Sequence, residues 1–487
     1  MTATNEIFER ARLSRDARFD GQFFVAVKTT GIYCRPICPA NSPKSENVSF
    51  YRTAAAAGEA GYRPCLRCRP ECAPGTPAWA GTSTTVRRGL RLIAEGALDE
   101  GNVDDLADRL GVTSRHLRRL FTQHLGASPL AVAHTQRLHF AKALIDQTSL
   151  PMRDIAAASG FGSTRRFNDT FRKIYDRTPR ELRRGRESAV VDSGFSVQLA
   201  YRSPFDWPAL LGFFAARATP GVEQVHGDRY LRTIAIGDER GVIDVHDAGG
   251  VLLLRLHGIA TGSLIAVVQR VRSLFDLDAA ISDVHTVLAR DPVMQRRLRQ
   301  NPGIRVPGAW DGFELTVRAI LGQQVSVKAA TTLAGRIVAR YGEQVDVSVD
   351  GVPRAPDQLF PGPARLRRAR LETLGIIGSR ARTIRAVAKA TVTEEICFDA
   401  AQDPDVFAEA LKLIPGIGDW TAQYVAMRAL KNPDAFPAGD LGLLRAFDEE
   451  RGSRMKSAEL LRRAEAWRPW RAYAALLIWG SAAGAGG

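Results

Sequence analysis

"LIPGIGDWTAQYVAMRALKNPDAFPAGDLGLLRAF", residues 413–447, carries the turn Pro415-Gly416-Ile417-Gly418 between two helical patterns and ends in a Gly/Pro-bounded loop holding Asp440. Glycines at such a turn let backbone amides approach a DNA phosphate, as helix N-termini do generally. The stretch therefore predicts a helix–hairpin–helix with Gly416 and Gly418 toward DNA. Asp440 precedes an apolar helix, and an Asp in that setting is most often an N-cap. From about residue 276 the chain reads as mostly helical, with a second informative segment at 308–330, "GAWDGFELTVRAILGQQVSVKAA". Upstream, "FSVQLAYRSPFDWPALLGFFAARATPGVEQV" (195–225) and "GVLLLRLHG" (250–258) read as strands alternating with one helix.

At 487 residues the chain is too long for one core, so two to four domains are expected. With 45% hydrophobic residues and 8% aromatics, it has the composition of a folded globular protein. No run of about 18 uncharged apolar residues argues for a membrane span. The charged start, "MTATNEIFERARLSRDARFD", contains no apolar signal-peptide core, so a cytoplasmic protein with reduced thiols is expected. Residues 1–186 hold 30 Lys/Arg against 18 Asp/Glu and so carry +12 of the formal +15. A basic front half suits a polyanionic partner.

That front half contains "TGIYCRPICPA" (30–40) and "RPCLRC" (63–68), with 26 residues between Cys38 and Cys65. Cys34/Cys38 and Cys65/Cys68 are two short-spaced pairs of the kind that offer four thiolates to one tetrahedral zinc. Short spacing lets each pair grip the metal from one turn, and the segment between can form a small sheet. Spacing alone does not separate a structural zinc from a reactive one. Cys72 and Cys397 are expected to be spectators.

After the Pro/Gly/Ser-rich "CAPGTPAWAGTS" (72–83), the pattern turns helical. "NVDDLADRLGVTSRHLRRLFTQHLG" (102–126) opens with an Asn cap and acidic first turn, sets Leu106, Ala107 and Leu110 on one face, and turns at Gly111. Its second helix carries Arg115, His116, Arg118 and Arg119. A second copy at 150–182 turns at Gly160-Phe161-Gly162 and carries Thr164, Arg165, Arg166 and Asn168, with Phe167 and Phe171 as apolar spacers. In a helix-turn-helix the second helix enters the major groove, where Arg and Asn read base edges.

"DGQFFVAVKTTGIYCRPICPA" (20–40), "ENVSFY" (46–51) and "GYRPCLRC" (61–68) resemble the zinc domain of the Ada family of methyl-phosphotriester repair proteins. The resemblance implies that Cys34 takes a methyl group irreversibly from a methylated DNA phosphate, while Cys38, Cys65 and Cys68 stay zinc ligands. Zinc keeps a coordinated thiol deprotonated, and methylation would change the site's formal charge from −2 to −1, weakening its repulsion of DNA. Thr30, Arg35, Arg63 and Arg67 are candidate phosphate neighbours. "GFGSTRRFNDTFRKIYDRTPRELR" (160–183) resembles the tandem helix-turn-helix module of AraC-family activators, which implies promoter DNA and RNA polymerase as partners. No Pro-Cys-His occurs, so the guanine-repair methyltransferase of Ada proteins is not expected.

Residues 193–483, including the C-terminal "RPWRAYAALLIW" (468–479), are similar to the AlkA family of helix-hairpin-helix alkylpurine glycosylases. That resemblance makes Asp440 the catalytic carboxylate and Trp420, Tyr424 and Trp479 the aromatics that receive a flipped, electron-poor base. A Schiff-base lysine would stand two residues after the last hairpin glycine; Trp420 stands there, so a monofunctional enzyme is implied. Gln324 replaces the family's intercalating Leu, and carbonyls of Lys412, Ile414 and Ile417 are candidate ligands of a monovalent cation. The fold expected is multidomain α+β: a small zinc-bound α/β domain (1–76), an all-α tandem helix-turn-helix domain (82–186), an α+β subdomain (193–275) and a mostly α glycosylase domain (276–484). A monomer acting on alkylated and promoter double-stranded DNA follows. The alternatives are a regulator whose glycosylase half is inactive and only holds DNA, and a quartet whose zinc is purely structural.

Overall fold

Strands β1 (Phe24–Val27), β2 (Ile32–Cys34), β3 (Val48–Tyr51) and β4 (Arg63–Pro64) form an N-terminal sheet in the order β3-β1-β2-β4. The computed structural model describes residues 3–73, 84–99, 101–184, 195–399, 402–451 and 455–483. Side chains alternate across β1, as a strand requires. Phe24 and Ala26 pack with Tyr33 and with Ala54 and Ala57 of α2 (Ala54–Glu59). Phe23 and Val25 pack with Ala11 of α1 (Ala3–Leu13). Pairing of β2 with β4 is parallel, Ile32 opposite Arg63 and Tyr33 opposite Pro64, and this register sets the two cysteine pairs side by side. The linker expected at 72–83 lies, from residue 74 onward, outside the described residues.

Seven helices follow: α3 (Thr84–Ala94), α4 (Val103–Arg109), α5 (Ser114–Leu125), α6 (Pro129–Gln147), α7 (Met152–Ala158), α8 (Thr164–Tyr175) and α9 (Pro179–Arg184). Asn102 caps α4 in a reciprocal capping box with Asp105, and Gly111 turns the chain at φ +70°. Leu106, Ala107 and Leu110 are buried against Leu117, Phe121 and Leu125. The second unit repeats the arrangement with Ile155, Ala156, Phe167, Phe171 and Tyr175, and the long α6 joins the two. The core of this second unit runs without a break into the next layer, through Val197, Leu254 and Phe275.

That layer is an antiparallel five-stranded sheet, β5 (Phe195–Ala200), β6 (Glu223–His226), β7 (Arg229–Ile236), β8 (Glu239–Asp247) and β9 (Val251–His257), ordered β5-β9-β8-β7-β6, with α10 (Trp207–Ala215) between the first two strands in the chain. Helices then take over with α11 (Leu264–Leu274), α12 (Ile281–Leu288), α13 (Pro292–Gln300), α14 (Gly312–Leu321), α15 (Val327–Tyr341), α16 (Pro363–Leu366), α17 (Gly378–Val392) and α18 (Pro404–Lys412). The last four are α19 (Asp419–Arg428), α20 (Leu441–Arg451), α21 (Ser457–Ala464) and α22 (Arg471–Ala483).

These helices build two cores. One gathers Leu288, Phe447, Trp467 and Tyr473; the other gathers Val317, Ile384, Leu411 and Val425. Helix α19 serves both, giving Ala426 and Met427 to the first and Ala422 and Val425 to the second, while Tyr424 packs against each. The crease between two lobes is thus lined by α19. Among the described residues no helix is long and apolar enough to cross a membrane.

Candidate active sites and nucleic-acid interface

The Sγ atoms of Cys34, Cys38, Cys65 and Cys68 all lie within 4.8 Å of one another, and none of these cysteines is in a disulfide. Thiolates around one tetrahedral zinc at ~2.3 Å stand roughly 3.8 Å apart, so the quartet fits one zinc. Backbone bonds shape the cradle: Cys38 N–H donates to Arg35 O at 3.1 Å and Cys65 N–H to Tyr33 O at 3.0 Å, while Arg35 N–H reaches Cys68 Sγ at 3.3 Å. As residues Cys34 and Cys38 are half-buried and Cys65 and Cys68 buried, and within the cluster Cys38 is the most open ligand. Thr30, Arg63 and Arg67 are exposed near this end of the sheet.

Arg35 departs from its expected place as a free phosphate neighbour. Its guanidinium pairs with Asp20, Nε donating to Oδ1 at 2.9 Å, and Nη1 donates to Cys68 O at 3.2 Å. It braces the metal loop from within. Cys72 and Cys397 stay outside the quartet. Tyr33, next to Cys34 and buried, shares a 2.8 Å hydrogen bond with His139 Nε2 on α6, which ties the Cys34 strand to the helix-turn-helix module. Arg69–Asp146 at 2.6 Å and Lys142–Glu71 at 3.5 Å extend this interface.

The second helix of each unit has its capping hydroxyl: Thr113 accepts from His116 N–H at 3.3 Å, and Ser163 from Arg166 N–H at 3.2 Å. Arg115 and Arg118 on α5, and Arg165 and Arg166 on α8, are exposed, and Asn168 is half-exposed. The apolar spacers between them are buried, so each helix keeps one polar face free.

In the hairpin between α18 and α19, Gly416 sits at φ +93°, where a Cβ would stand 2.1 Å from Thr383 Oγ1. Glycine is required there on both counts. Gly418, the N-cap of α19, has open space beside it. Gln323 Nε2 donates to Gly416 O at 3.0 Å and to Thr421 Oγ1 at 3.1 Å, which fastens the α14–α15 turn to the hairpin. At the tip of that turn Gln324 is exposed in the left-handed region, φ +56°, uncommon for a residue other than glycine. Ile414 O accepts from Ile417 N–H at 3.1 Å.

Asp440 is both an N-cap and the hub of the aromatic cluster. Oδ1 accepts from Leu443 N–H at 3.0 Å, at the start of α20, and from Trp479 Nε1 at 2.9 Å; Oδ2 accepts from Trp420 Nε1 at 2.8 Å. Trp420 stacks on Tyr424, centroids 5.2 Å apart and planes within 9°, and Tyr424 meets Trp479 edge-on at 6.3 Å. Two of the expected aromatics, Trp420 on α19 and Trp479 on α22, thus converge on one carboxylate, and Tyr424 packs against both. Burial pushes the Tyr424 phenol up, but Arg428, Arg217 and Arg318 more than offset it and hold it below its ordinary range. Arg428, Phe213 and Gln323 were not singled out from the sequence. Arg428 follows Tyr424 by one helical turn, a spacing that could have pointed to it; Phe213, on α10, carried no such signal.

A thiol-rich metal cradle, paired helix-turn-helix units and a hairpin beside a carboxylate-centred aromatic crease define a composite DNA-repair and regulatory protein. Four family models match successive stretches: "Metal binding domain of Ada" over 8–71, "Helix-turn-helix domain" over 106–185, "AlkA N-terminal domain" over 196–311 and "HhH-GPD superfamily base excision DNA repair protein" over 317–472. A "probable bifunctional transcriptional activator/DNA repair enzyme AlkA" of Mycobacterium tuberculosis is 41% identical over 475 residues, which cover 96% of this chain and 95% of that protein. DNA-3-methyladenine glycosylase 2 of Escherichia coli is 35% identical over 286 residues, 58% of this chain and 95% of its own. A solved 3-methyladenine DNA-glycosylase from Archaeoglobus fulgidus shares the fold at TM-score 0.52 and 21% identity, over 59% of this chain and 98% of that one. The chain belongs to the family of bifunctional transcriptional activator/DNA repair enzymes of AlkA type.

Proposed function

We propose that Cys34 accepts the methyl group of a DNA methylphosphotriester and that Asp440 supports hydrolytic excision of alkylated purines such as 3-methyladenine. In the first reaction the Cys34 sulfur attacks the methyl carbon. An S–C bond forms, the C–O bond breaks, and its electron pair returns to the phosphate oxygen, restoring the diester. Bound zinc keeps the thiols deprotonated for this step. A thioether has no ready way back, so each molecule reacts once. The site's formal charge goes from −2 to −1, and the exposed Arg faces of α5 and α8 then bind promoter DNA with less opposition. RNA polymerase is the partner that such an activator recruits.

The arrangement that carries the glycosylase reading is Asp440 held by two indole N–H groups and a helix N-terminus. Three donors keep the carboxylate in one orientation, beside stacked aromatics suited to a flipped base. Positive charge develops on the sugar as the base leaves, and a fixed carboxylate stabilises it or activates water. Trp420 fills the position where a lysine would form a Schiff base, so the enzyme hydrolyses without cutting the strand. Gly416 and Gly418 meet the DNA backbone, Gln324 fills the gap left by the flipped base, and carbonyls of Lys412, Ile414 and Ile417 hold a monovalent cation. In this reading the units are 1–76, 82–186, 193–275 and 276–484, in a monomeric cytoplasmic protein.

Two measurements test this. Intact-protein mass spectrometry after incubation with methylated DNA is expected to show one added methyl, mapped to Cys34; no gain makes the zinc purely structural. Purified protein is expected to release methylated purine from alkylated duplex. No release, with Asp440→Asn indistinguishable from wild type, leaves a regulator whose back half only holds DNA.

A further inference from the structure

Behind Tyr424 lies a buried guanidinium that, among the described residues, no carboxylate bonds, although Glu223 feels its charge. Arg428 is only 5% exposed. Its Nη1 donates to Tyr424 Oη at 2.6 Å, and its remaining bonds go to the neutral carbonyls of Pro307 at 2.9 Å and Gly308 at 2.8 Å. The guanidinium stands 4.9 Å over the Phe213 ring and 5.3 Å over Tyr424. Arg217, 4.0 Å over the same Phe213, donates to Phe213 O at 3.3 Å. The contrast with their neighbours is sharp: Arg232 and Arg318 are matched by Glu223 and Glu314 in a closed square of ion pairs. Among the described residues Arg428 and Arg217 have no such partner. Burying an unpaired charge is costly and is not retained for packing alone.

Asp440 bonds the Trp420 member of the Trp420–Tyr424 stack and Arg428 the Tyr424 member. The crease therefore has a negative end and a positive end with the stacked rings between them. We propose that Arg428 is a positioning residue for departure of the base: it fixes Tyr424 and, with Arg217, makes the base end of the pocket positive, opposite the carboxylate at the sugar end. The proposal rests on the glycosylase reading above.

When the C1′–N bond breaks, its electron pair leaves with the base, and positive charge appears on the sugar. Water then adds to C1′ and releases a proton. A cationic alkylpurine departs neutral; a neutral purine departs as an anion that afterwards takes a proton from water. Positive charge behind the base favours arrival of the electron pair in both cases, and weighs more when the base leaves as an anion. The field thus sets which lesions leave quickly.

The test compares single-turnover release of 7-methylguanine, which leaves neutral, and of hypoxanthine from deoxyinosine, which leaves as an anion, in full-length protein. Arg428→Gln is expected to slow hypoxanthine release on the order of tenfold more than 7-methylguanine release. Arg428→Lys should bring the ratio back toward wild type. Arg217→Gln, which removes the second charge and leaves the Arg428–Tyr424 bond, reads the same ratio if the Arg428 glutamine variant does not fold. Equal losses on both lesions, or wild-type protein that releases 7-methylguanine and no hypoxanthine, overturn the proposal. Release of neither base instead removes the glycosylase reading itself.

Discussion

The indole of Trp479 donates to Asp440 Oδ1 at 2.9 Å across 39 residues of chain, from α22 to the cap of α20. Trp420 supplies the matching bond to Oδ2 from α19. A carboxylate that would otherwise only cap a helix is thereby turned, by groups distant in the chain, into a fixed acceptor at the rim of an aromatic crease.

Asp440→Asn separates the two roles. Asn caps helices about as well as Asp, so stability should change by less than ~1 kcal/mol. The negative charge that the proposed mechanism sets against the sugar is lost, and single-turnover release of methylated purine should fall on the order of a hundredfold or more. Base release and a thermal melt on the same preparation check both halves.

Gly416→Ala places a methyl group 2.1 Å from Thr383 Oγ1 at a backbone φ of +93°. The hairpin must shift to make room. A stability loss of about 2 kcal/mol is expected, together with weaker binding to undamaged and damaged DNA alike. Gly418→Ala meets open space and should cost much less. Denaturant titration and DNA-binding isotherms distinguish the pair.

His139 is half-buried, and that burial, followed by the nearby Lys142 charge, lowers its pKa to about 4. The unfolded chain binds a proton there near pH 6.5 while the folded one does not, so stability is complete above the unfolded value and is lost as pH falls from 6.5 toward 4. The cost at the acid end is about 3 kcal/mol. Wild type and His139→Gln, compared by urea denaturation at pH 7.5 and pH 5, should differ in pH slope, with the variant flatter. Thiol protonation acts on both proteins and cancels in the comparison.

Within the quartet the four cysteines should divide by role. Cys65→Ala removes a buried ligand and is expected to lower bound zinc well below one per chain and to destabilise the N-terminal sheet. Cys34→Ala should abolish methyl uptake and any methylation-dependent gain in promoter affinity. Metal analysis and mass spectrometry after exposure to methylated DNA read the two outcomes.

Much of this was legible in order along the chain. The hairpin, both helix-turn-helix turns at Gly111 and Gly160, the Asn102 cap and the four thiols depend on local spacing, and local spacing is written in sequence. Arg35 shows the limit: beside two cysteines it read as a surface cation, yet Asp20 and the Cys68 carbonyl draw it inward. Phe213 and Arg428 show the same from the other side. Nothing in α10 announces that one of its rings will lie under the guanidinium of α19.

What the sequence by itself determined is the kind and order of the parts: a thiol cradle for one metal, two DNA-reading helix pairs and a hairpin glycosylase half. The turns, the cap and each cysteine pair follow from residues within a turn or two of one another, where backbone geometry leaves few options, and the chemistry of the parts came from their resemblance to known families. Tertiary structure alone decided how the parts meet. It set Tyr33 against His139, ran one core from the second helix-turn-helix unit into the five-stranded sheet, and brought Trp420 to Asp440 and Arg428 to Tyr424. Those relationships depend on packing between elements far apart in the chain, and the direction and burial of a charge, which govern its chemistry, exist only once that packing has formed.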